Sequence, residues 1–486
     1  MKQMQADIIV VAAGPAGLAA AITARENGKD VLVFEKTNTS GGAANMGMGL
    51  LGIDTKIQRS NFNDISVDFA LNKHMEYTHY RVDAQLVSEY FHLSADTIDW
   101  LMDMGVNFAG AFRYSRDSEA TWHIVQPPNG AIGPRCASAM MKIMTDRTVE
   151  LGAKILYETP VTDLIKENDE VCGVIARTKD GEEIEARAKA VLVCTGGFGS
   201  NAEMVKEELG YTLNEDIITF MVPGVVGDGL KMMWKAGAQK FGTGLEMIYM
   251  IKDQINYMAL DAMFRQSDLM VNLNGERFMN EADMGNSTFT GNAISMQPGR
   301  VAYSILDSGI ARKYMKNGFS HISLVEPEAL NVVFEDAVED ALDDGYEDFF
   351  VADTIEELAE KLGIPADKLA DTIETYNDYC DRGVDEQFAK PAHDLHPITG
   401  KGQYMAIRFY VGAYGTVGGV RINKLCEVLD EQCKPIPGLY SAGTDANTIY
   451  ADSYNFKLPG NTMGFAINTG RMAANAMADY IDSLDD

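Results

Sequence analysis

The sequence is short of positive charge: 41 lysines and arginines stand against 71 aspartates and glutamates, a net charge of −30. Such a surplus repels phosphate backbones and anionic lipid at long range, which excludes nucleic acid as a partner class. Cysteine is also sparse. The six present (Cys136, Cys172, Cys194, Cys380, Cys426, Cys433) show no C-x-x-C, haem-attachment or zinc spacing, so no metal site, iron-sulfur cluster or redox dithiol is expected. No run approaches the ~18–20 apolar residues that cross a bilayer. The opening MKQMQADIIVVAAG carries no basic leader or cleavage site. A protein without a membrane span, residing in the cytoplasm, is expected.

What is present is an ordinary globular composition, 46% hydrophobic and 23% charged over 486 residues, long enough for two domains. Residues 6–36 read as strand, tight turn, helix and strand, with near-continuous apolar strands that suit a parallel sheet covered on both faces. Helical patterns dominate 67–151, and strand patterns resume over 154–197. From about Lys240 to Ala406 the chain turns Met-rich, then acidic (326–350, read as a solvated helical face), then helical (354–380). It returns to strand and turn over 417–444 and closes on a helix over 464–484. The expected fold class is α/β, a Rossmann-like domain (1–239 and 406–486) interrupted by an α+β capping domain (240–405).

The opening turn, Ala12-Ala13-Gly14-Pro15-Ala16-Gly17, departs from G-x-G-x-x-G only at its first position. Such a turn lets the backbone approach a pyrophosphate at a helix N-terminus, and Glu35, about 20 residues on, is placed to bond a ribose hydroxyl. Lys36 and the small-residue loop Ser40-Gly41-Gly42-Ala43 follow, suited to close contact with phosphates and a ribityl chain. Later loops point the same way: Val161 in a returning strand, Thr195-Gly196-Gly197, Asn201, the turn at Asp228, Gly443-Thr444-Asp445 and Asn461-Thr462-Met463. Returning to one site, these loops fit a long cofactor, FAD, better than NAD.

With these residues the chain resembles the flavoprotein family of soluble fumarate reductases, succinate dehydrogenase flavoprotein subunits, urocanate reductases and 3-ketosteroid dehydrogenases. The resemblance is carried by TGGFGSN (195–201), GDGLKMMWKAGA (227–238), LNGERFMNEA (273–282), TIEELAEKLGI (354–364), TVGGVRIN (416–423), PIPGLYSAGT (435–444) and PGNTMGFAINTGRMA (459–473). It implies FAD in a domain whose inserted cap holds substrate against the isoalloxazine. It implies non-covalent FAD, since the loop at 39–44 lacks the histidine that attaches flavin in the respiratory members. The catalytic arginine expected after R-F-x-N-E is missing from ADMGNSTFTGNAI (282–294). The histidine before T-x-G-G is replaced around Tyr414, and Lys457 stands where the family has arginine.

The cationic clamps for two carboxylates are thus mostly gone, which argues against a small dicarboxylate. Reducing a C=C bond beside a carbonyl takes a hydride, a proton and a donor to the carbonyl oxygen. Tyr414, helped by Tyr450, Tyr454 or Lys457, is the candidate for the last two roles. Arg265 is a second candidate, near where relatives keep a proton-relay arginine; His123 and a Met cluster (Met247, Met250, Met258, Met263, Met270) are candidate lining or plain core. The expected function is an FAD-dependent oxidoreductase acting on CH–CH/C=C bonds next to a carbonyl, on a bulky apolar enone such as a 3-ketosteroid, with an unidentified electron donor or acceptor. The alternatives are a fumarate- or urocanate-type carboxylate reductase and a flavin-binding electron-transfer subunit.

Overall fold

The computed structural model describes residues 2–319 and 334–485. Its nucleotide-domain sheet grows from the opening unit: Ile8–Val11 is flanked by Val31–Phe34 and then Lys154–Leu156 on one side, and by Ala190–Val193 and then Pro435–Ser441 on the other, all parallel. Glu427–Leu429 closes the edge as an antiparallel strand. The inner strands Ile8–Val11, Val31–Phe34 and Ala190–Val193 are buried throughout, as a sheet covered on both faces requires. The helix Pro15–Glu26 begins with proline in its first turn, where no needed backbone donor is lost. Against it packs the long helix Asn461–Asp485.

A second sheet joins Lys2–Gln5 to Glu183–Arg187, Glu170–Arg177 and Val161–Glu167. In the segment read as helical, the helices Val67–Tyr77, Ala84–Asp103 and Ser138–Glu150 form, but a small sheet intervenes. Phe108–Phe112 pairs with Trp122–Val125, which pairs with Gly49–Leu51. The reason is local: Gly105, at φ 97°, follows the end of the long helix, and the fully buried run Trp122-His123-Ile124-Val125 fits a pleated surface.

The cap is organised by one 17-residue strand, Tyr404–Val420. It pairs antiparallel with Lys240–Met250, Val301–Asp307 and Phe349–Ala352, and parallel with Ile218–Thr219. The boundary expected after residue 405 falls inside this strand, because no proline or turn separates its two β-rich halves. The helix Ser287–Ser295 lies on Lys240–Met250, with no room for a Cβ at Gly291, which would meet the Ile248 backbone at 2.5 Å. Of the acidic segment, Phe334–Asp343 is a helix that buries Phe334 and Ala341 and exposes most of its carboxylates; 326–333 lie outside the described residues. The pattern over 354–380 splits into Ile355–Leu362 and Ala366–Arg382 at a left-handed Gly363. Among the described residues, no helix is long and apolar enough to cross a membrane, and no group of His, Cys, Asp and Glu is arranged to hold a metal.

Candidate active site

The opening turn makes a trough floored by backbone. A Cβ on Gly14 would meet nothing within 4 Å, and one on Gly42 would lie 3.7 Å from the Gly14 Cα, so two glycines from different loops face each other. The loops are tied by the Gly41 amide, which donates to the Ala13 carbonyl at 2.8 Å. Gly42 and Ala43 are exposed. Gly17 serves packing: a Cβ there would lie 2.0 Å from the Ala12 carbonyl oxygen. Ala16 is buried, and a Cβ on Gly443 would come 3.3 Å from its Cβ. The Glu35 carboxylate accepts from the Ala13 amide at 2.8 Å and from the Thr37 amide and hydroxyl at 2.7 and 2.8 Å. A carboxylate has about four acceptor sites, so one remains for a ribose hydroxyl. A Cβ-free trough at a helix N-terminus beside such a carboxylate fits the pyrophosphate and ribose of a dinucleotide.

Other residues read as cofactor-binding form the frame of this trough. Lys36 pairs with Asp228 at 2.5 Å, and the Ser40 hydroxyl lies 2.7 Å from that of Thr145. Val161 is buried at the start of its strand, just after Thr159, whose amide donates to the Glu35 carbonyl. The buried Asp445 carboxylate gathers the Thr195 amide and hydroxyl and the Gly197 amide, holding Gly196 at φ 93° between them. A Cβ on Gly197 would lie 3.1 Å from Thr444 Cγ2, so this loop and the 443–445 turn are in contact. Asn201 spends both polar ends internally, capping the helix Ala202–Leu209 and donating to the Val226 carbonyl. Asn461 accepts from the Tyr90 hydroxyl at 3.0 Å, and Met463 reaches Gly47 so closely that a Cβ there would lie 2.6 Å from its Cε.

Beyond the trough, where Tyr404–Val420 meets the 446–463 segment, an aromatic wall forms. Tyr414 stacks on Phe220 with ring centroids 5.3 Å apart, and Phe456 lies 6.2 Å from Tyr414, 4.4 Å from Tyr114 and 4.8 Å from Tyr454. Tyr450 continues the series, 4.9 Å from Tyr454. Tyr414 keeps 37% of its surface accessible, although the groups around its hydroxyl desolvate it strongly. Burial pushes that hydroxyl well above its ordinary pKa of 10; a hydrogen bond with Tyr114 adds to this, and the charge of Arg265 opposes it. Behind the wall, Glu246 Oε1 accepts from the Thr462 hydroxyl at 2.5 Å and from the Asn447 amide at 3.2 Å.

Comparison with known proteins decides the family. A family profile described as FAD binding domain matches residues 7–463. The chain belongs to this family. It is 33% identical to vinyl phenol reductase of Lactiplantibacillus plantarum, covering 98% of this chain and 96% of that one. It is 29% identical to NADH:fumarate oxidoreductase of Klebsiella pneumoniae, covering 97% of this chain but only 47% of that protein. Among solved structures, the open conformation of a flavocytochrome c3 fumarate reductase superposes with a TM-score of 0.71 at 25% identity, over 98% of this chain and 79% of that one. A 3-ketosteroid-Δ4-(5α)-dehydrogenase of Rhodococcus jostii does so at 0.76 and 22%, over 98% of both chains, which shows a shared fold.

In this FAD-dependent oxidoreductase the remaining candidates fall into distinct places. Arg265 bonds Asp261 at 2.6 Å and the Tyr249 carbonyl at 2.8 Å and lies 4.3 Å over the Tyr249 ring, so its guanidinium is anchored while its field reaches Tyr414. Lys457 turns toward the cap, 5.8 Å over the Phe289 ring, and its charge is felt by Asp283. His123 is fully buried between the Thr55 hydroxyl and the Thr121 carbonyl, and burial holds it neutral, with its pKa lowered to about 4. Met247, Met250, Met263 and Met270 are core, and Met258 is half-buried. The R-F-x-N-E motif is a node of the cap: Arg277 makes paired bonds to both Glu281 and Asp385. Sequence reading passed over Phe220, Tyr114, Phe456 and Glu246. Only Glu246 left a signal there, as one carboxylate inside the apolar strand Leu245–Met250.

Proposed function

We propose that this flavoenzyme reduces a C=C bond conjugated to a flat ring that bears an oxygen, with a hydroxylated vinylbenzene as the leading substrate and a ring enone as the chemical equivalent. The observation that carries this reading is the aromatic wall around Tyr414, whose planar, mostly uncharged surfaces suit a ring. Two carboxylates would ask for paired cations in a fixed fork geometry, and the positions read for them hold Tyr414 and Lys457. The relative named vinyl phenol reductase, alike over nearly its whole length, supports the same choice.

FAD, when bound, supplies a hydride. Gly14 and the helix start, with Ala16 and Gly17 packed behind them, would hold the pyrophosphate, Glu35 the adenosine ribose, and Val161 the adenine side. Lys36 with Asp228, and Ser40 to Ala43, would flank the phosphates; Thr195 to Gly197, Asn201 and Asp445 shape the ribityl side, and Gly443, Thr444 and Asn461 to Met463 the ring. The loop from Thr39 to Ala44 offers no nucleophilic His, Cys or Tyr, so the flavin is held without a covalent bond.

The protein must then polarise the alkene. Protonating the terminal carbon of a 4-vinylphenol while its hydroxyl passes a proton to water gives a quinone methide, a vinylogous enone; hydride addition at its benzylic carbon would leave the phenolate, which regains that proton from water. Tyr414, next to Tyr114 and within the field of Arg265, would bind the ring oxygen. Tyr454, on the adjoining part of the wall, would give the carbon its proton. The test is to mix photoreduced enzyme anaerobically with 4-vinylphenol, a cyclic enone and fumarate and follow flavin absorbance. Fast reoxidation by the first two is expected. Fast reoxidation by fumarate alone, or by a partner protein alone, would overturn the reading.

A further inference from the structure

Glu246 is a buried carboxyl that the scheme above leaves unused. It is 2% exposed, in the strand Lys240–Met250 that pairs along the segment carrying Tyr414. Its Oε1 receives the Thr462 hydroxyl at 2.5 Å and the Asn447 amide at 3.2 Å. Its Oε2 lies toward Gly415, where a Cβ would come within 3.7 Å. Thr462 opens the long C-terminal helix; its backbone amide points to the Tyr454 hydroxyl at 3.5 Å, and its side chain lies beside that tyrosine. The Tyr450 hydroxyl also approaches Thr462 but finds no partner at good hydrogen-bond geometry. Three groups with exchangeable protons, Glu246, Thr462 and Tyr454, are thus neighbours.

We infer that Glu246 is the proton store of the site, a positioning residue that recharges Tyr454 through the hydroxyl of Thr462. The inference rests on the reading of Tyr454 as proton donor. When Tyr454 gives its proton to the substrate carbon, a C–H bond forms and a tyrosinate remains. With the carboxyl protonated the 2.5 Å contact is turned round, Glu246 donating to Thr462 Oγ1; the Thr462 proton then moves to the tyrosinate, the Glu246 proton replaces it on Thr462, and the carboxylate regains a proton from solvent. No electrons move in these transfers.

The surroundings keep the store full. The groups facing Glu246 are the Asn447 amide and Thr462 hydroxyl from the segments packed on it, with the Tyr450 and Tyr454 hydroxyls nearby; the strand Tyr404–Val420 contributes Gly415. No cation enters the balance. Burial therefore dominates over the two hydrogen bonds and raises the carboxyl to about 7, so it holds its proton below that pH.

Two measurements test this. Infrared difference spectra of the FAD-loaded protein, taken without substrate, should show a protonated buried carboxyl that titrates away with a midpoint near 7 and is absent from Glu246→Gln. Stopped-flow reoxidation of the reduced flavin by whichever alkene proves fastest should slow tenfold or more in Glu246→Gln and in Thr462→Val. The wild-type rate should fall as pH rises through that midpoint, while Glu246→Gln shows a flat profile. A carboxyl ionised at all pH values above about 5, or a Glu246→Gln profile that keeps the same limb, overturns the inference. If no alkene reoxidises the flavin, the proposed reaction fails, while the infrared titration still judges Glu246 by itself.

Discussion

The rings of Phe220 and Tyr414 lie 5.3 Å apart and 15° from parallel, one from beside the short strand Ile218–Thr219 and the other from the long strand it pairs with. The stack fixes the plane of Tyr414 and so the direction of its hydroxyl. Removing the hydroxyl and removing the stack should therefore fail differently. Tyr414→Phe keeps the wall and should lower kcat by about a hundredfold or more with FAD content unchanged. Phe220→Leu keeps the hydroxyl and should mainly raise KM, by loosening the ring's seat. Steady-state kinetics on the preferred alkene separate the two, and unchanged turnover in Tyr414→Phe removes that hydroxyl from the reaction.

The phosphate turn carries a strain that one substitution can relieve. Ala12 occupies the position where the G-x-G-x-x-G pattern has its first glycine, and it sits at φ 89°, a region costly to a residue with a Cβ. Ala12→Gly should stabilise the protein by about 1 kcal/mol, seen as a rise in Tm, with FAD retained. Gly17→Ala should do the opposite, because its Cβ would press on the Ala12 carbonyl from 2.0 Å, and backbone cannot yield as a side chain can. Loss of bound flavin together with a lower Tm is expected there.

The stack and the phosphate turn also show what the sequence could disclose. The nucleotide end was legible because its signals are local: strand, glycine turn, helix and acidic residue follow one another within about 30 residues. The aromatic wall was legible only in part. Tyr414 stood out beside the position of a histidine in a familiar pattern, with Tyr450 and Tyr454 as its helpers, whereas Phe220, Tyr114 and Phe456 come from three separated segments that only the fold brings together. The small sheet of 49–51, 108–112 and 122–125 was masked by the helices around it, since short buried strands carry little periodicity of their own. The continuous strand Tyr404–Val420 left no mark at residue 405 for a related reason. A strand shared between two structural units has no composition break at the point where its partners change.

The cap's buried ion network should be fragile to partial removal. Arg277 and Glu281 form a two-bond pair at 2.7 and 2.8 Å, Asp385 adds two further bonds, and Lys390 lies 3.5 Å from Glu281, all deeply buried. Arg277→Met leaves two carboxylates facing one lysine and should cost about 3–5 kcal/mol. Urea unfolding should report this as a lower midpoint or a separate cap transition, with the nucleotide domain's flavin released later. A loss below about 1 kcal/mol would mean that the network is as dispensable as an exposed pair.

Glu246 couples the site to stability with a definite sign. Its folded value, raised to about 7 by burial, exceeds the ordinary 4.5, so between those two values the folded chain binds a proton that the unfolded chain has released. Stability contributed by this group is therefore full below pH 4.5, falls as pH rises, and is lost above 7. The shift corresponds to a swing of about 3 kcal/mol. Glu246→Gln is neutral throughout and escapes that loss. Its stability relative to wild type should therefore improve by roughly this amount between pH 5 and pH 8. Comparing both proteins at the two pH values cancels the contributions of all other titrating groups. A difference that stays constant would show that the carboxyl is already ionised in the folded protein at the lower pH, and the buried proton on which the relay depends would be gone.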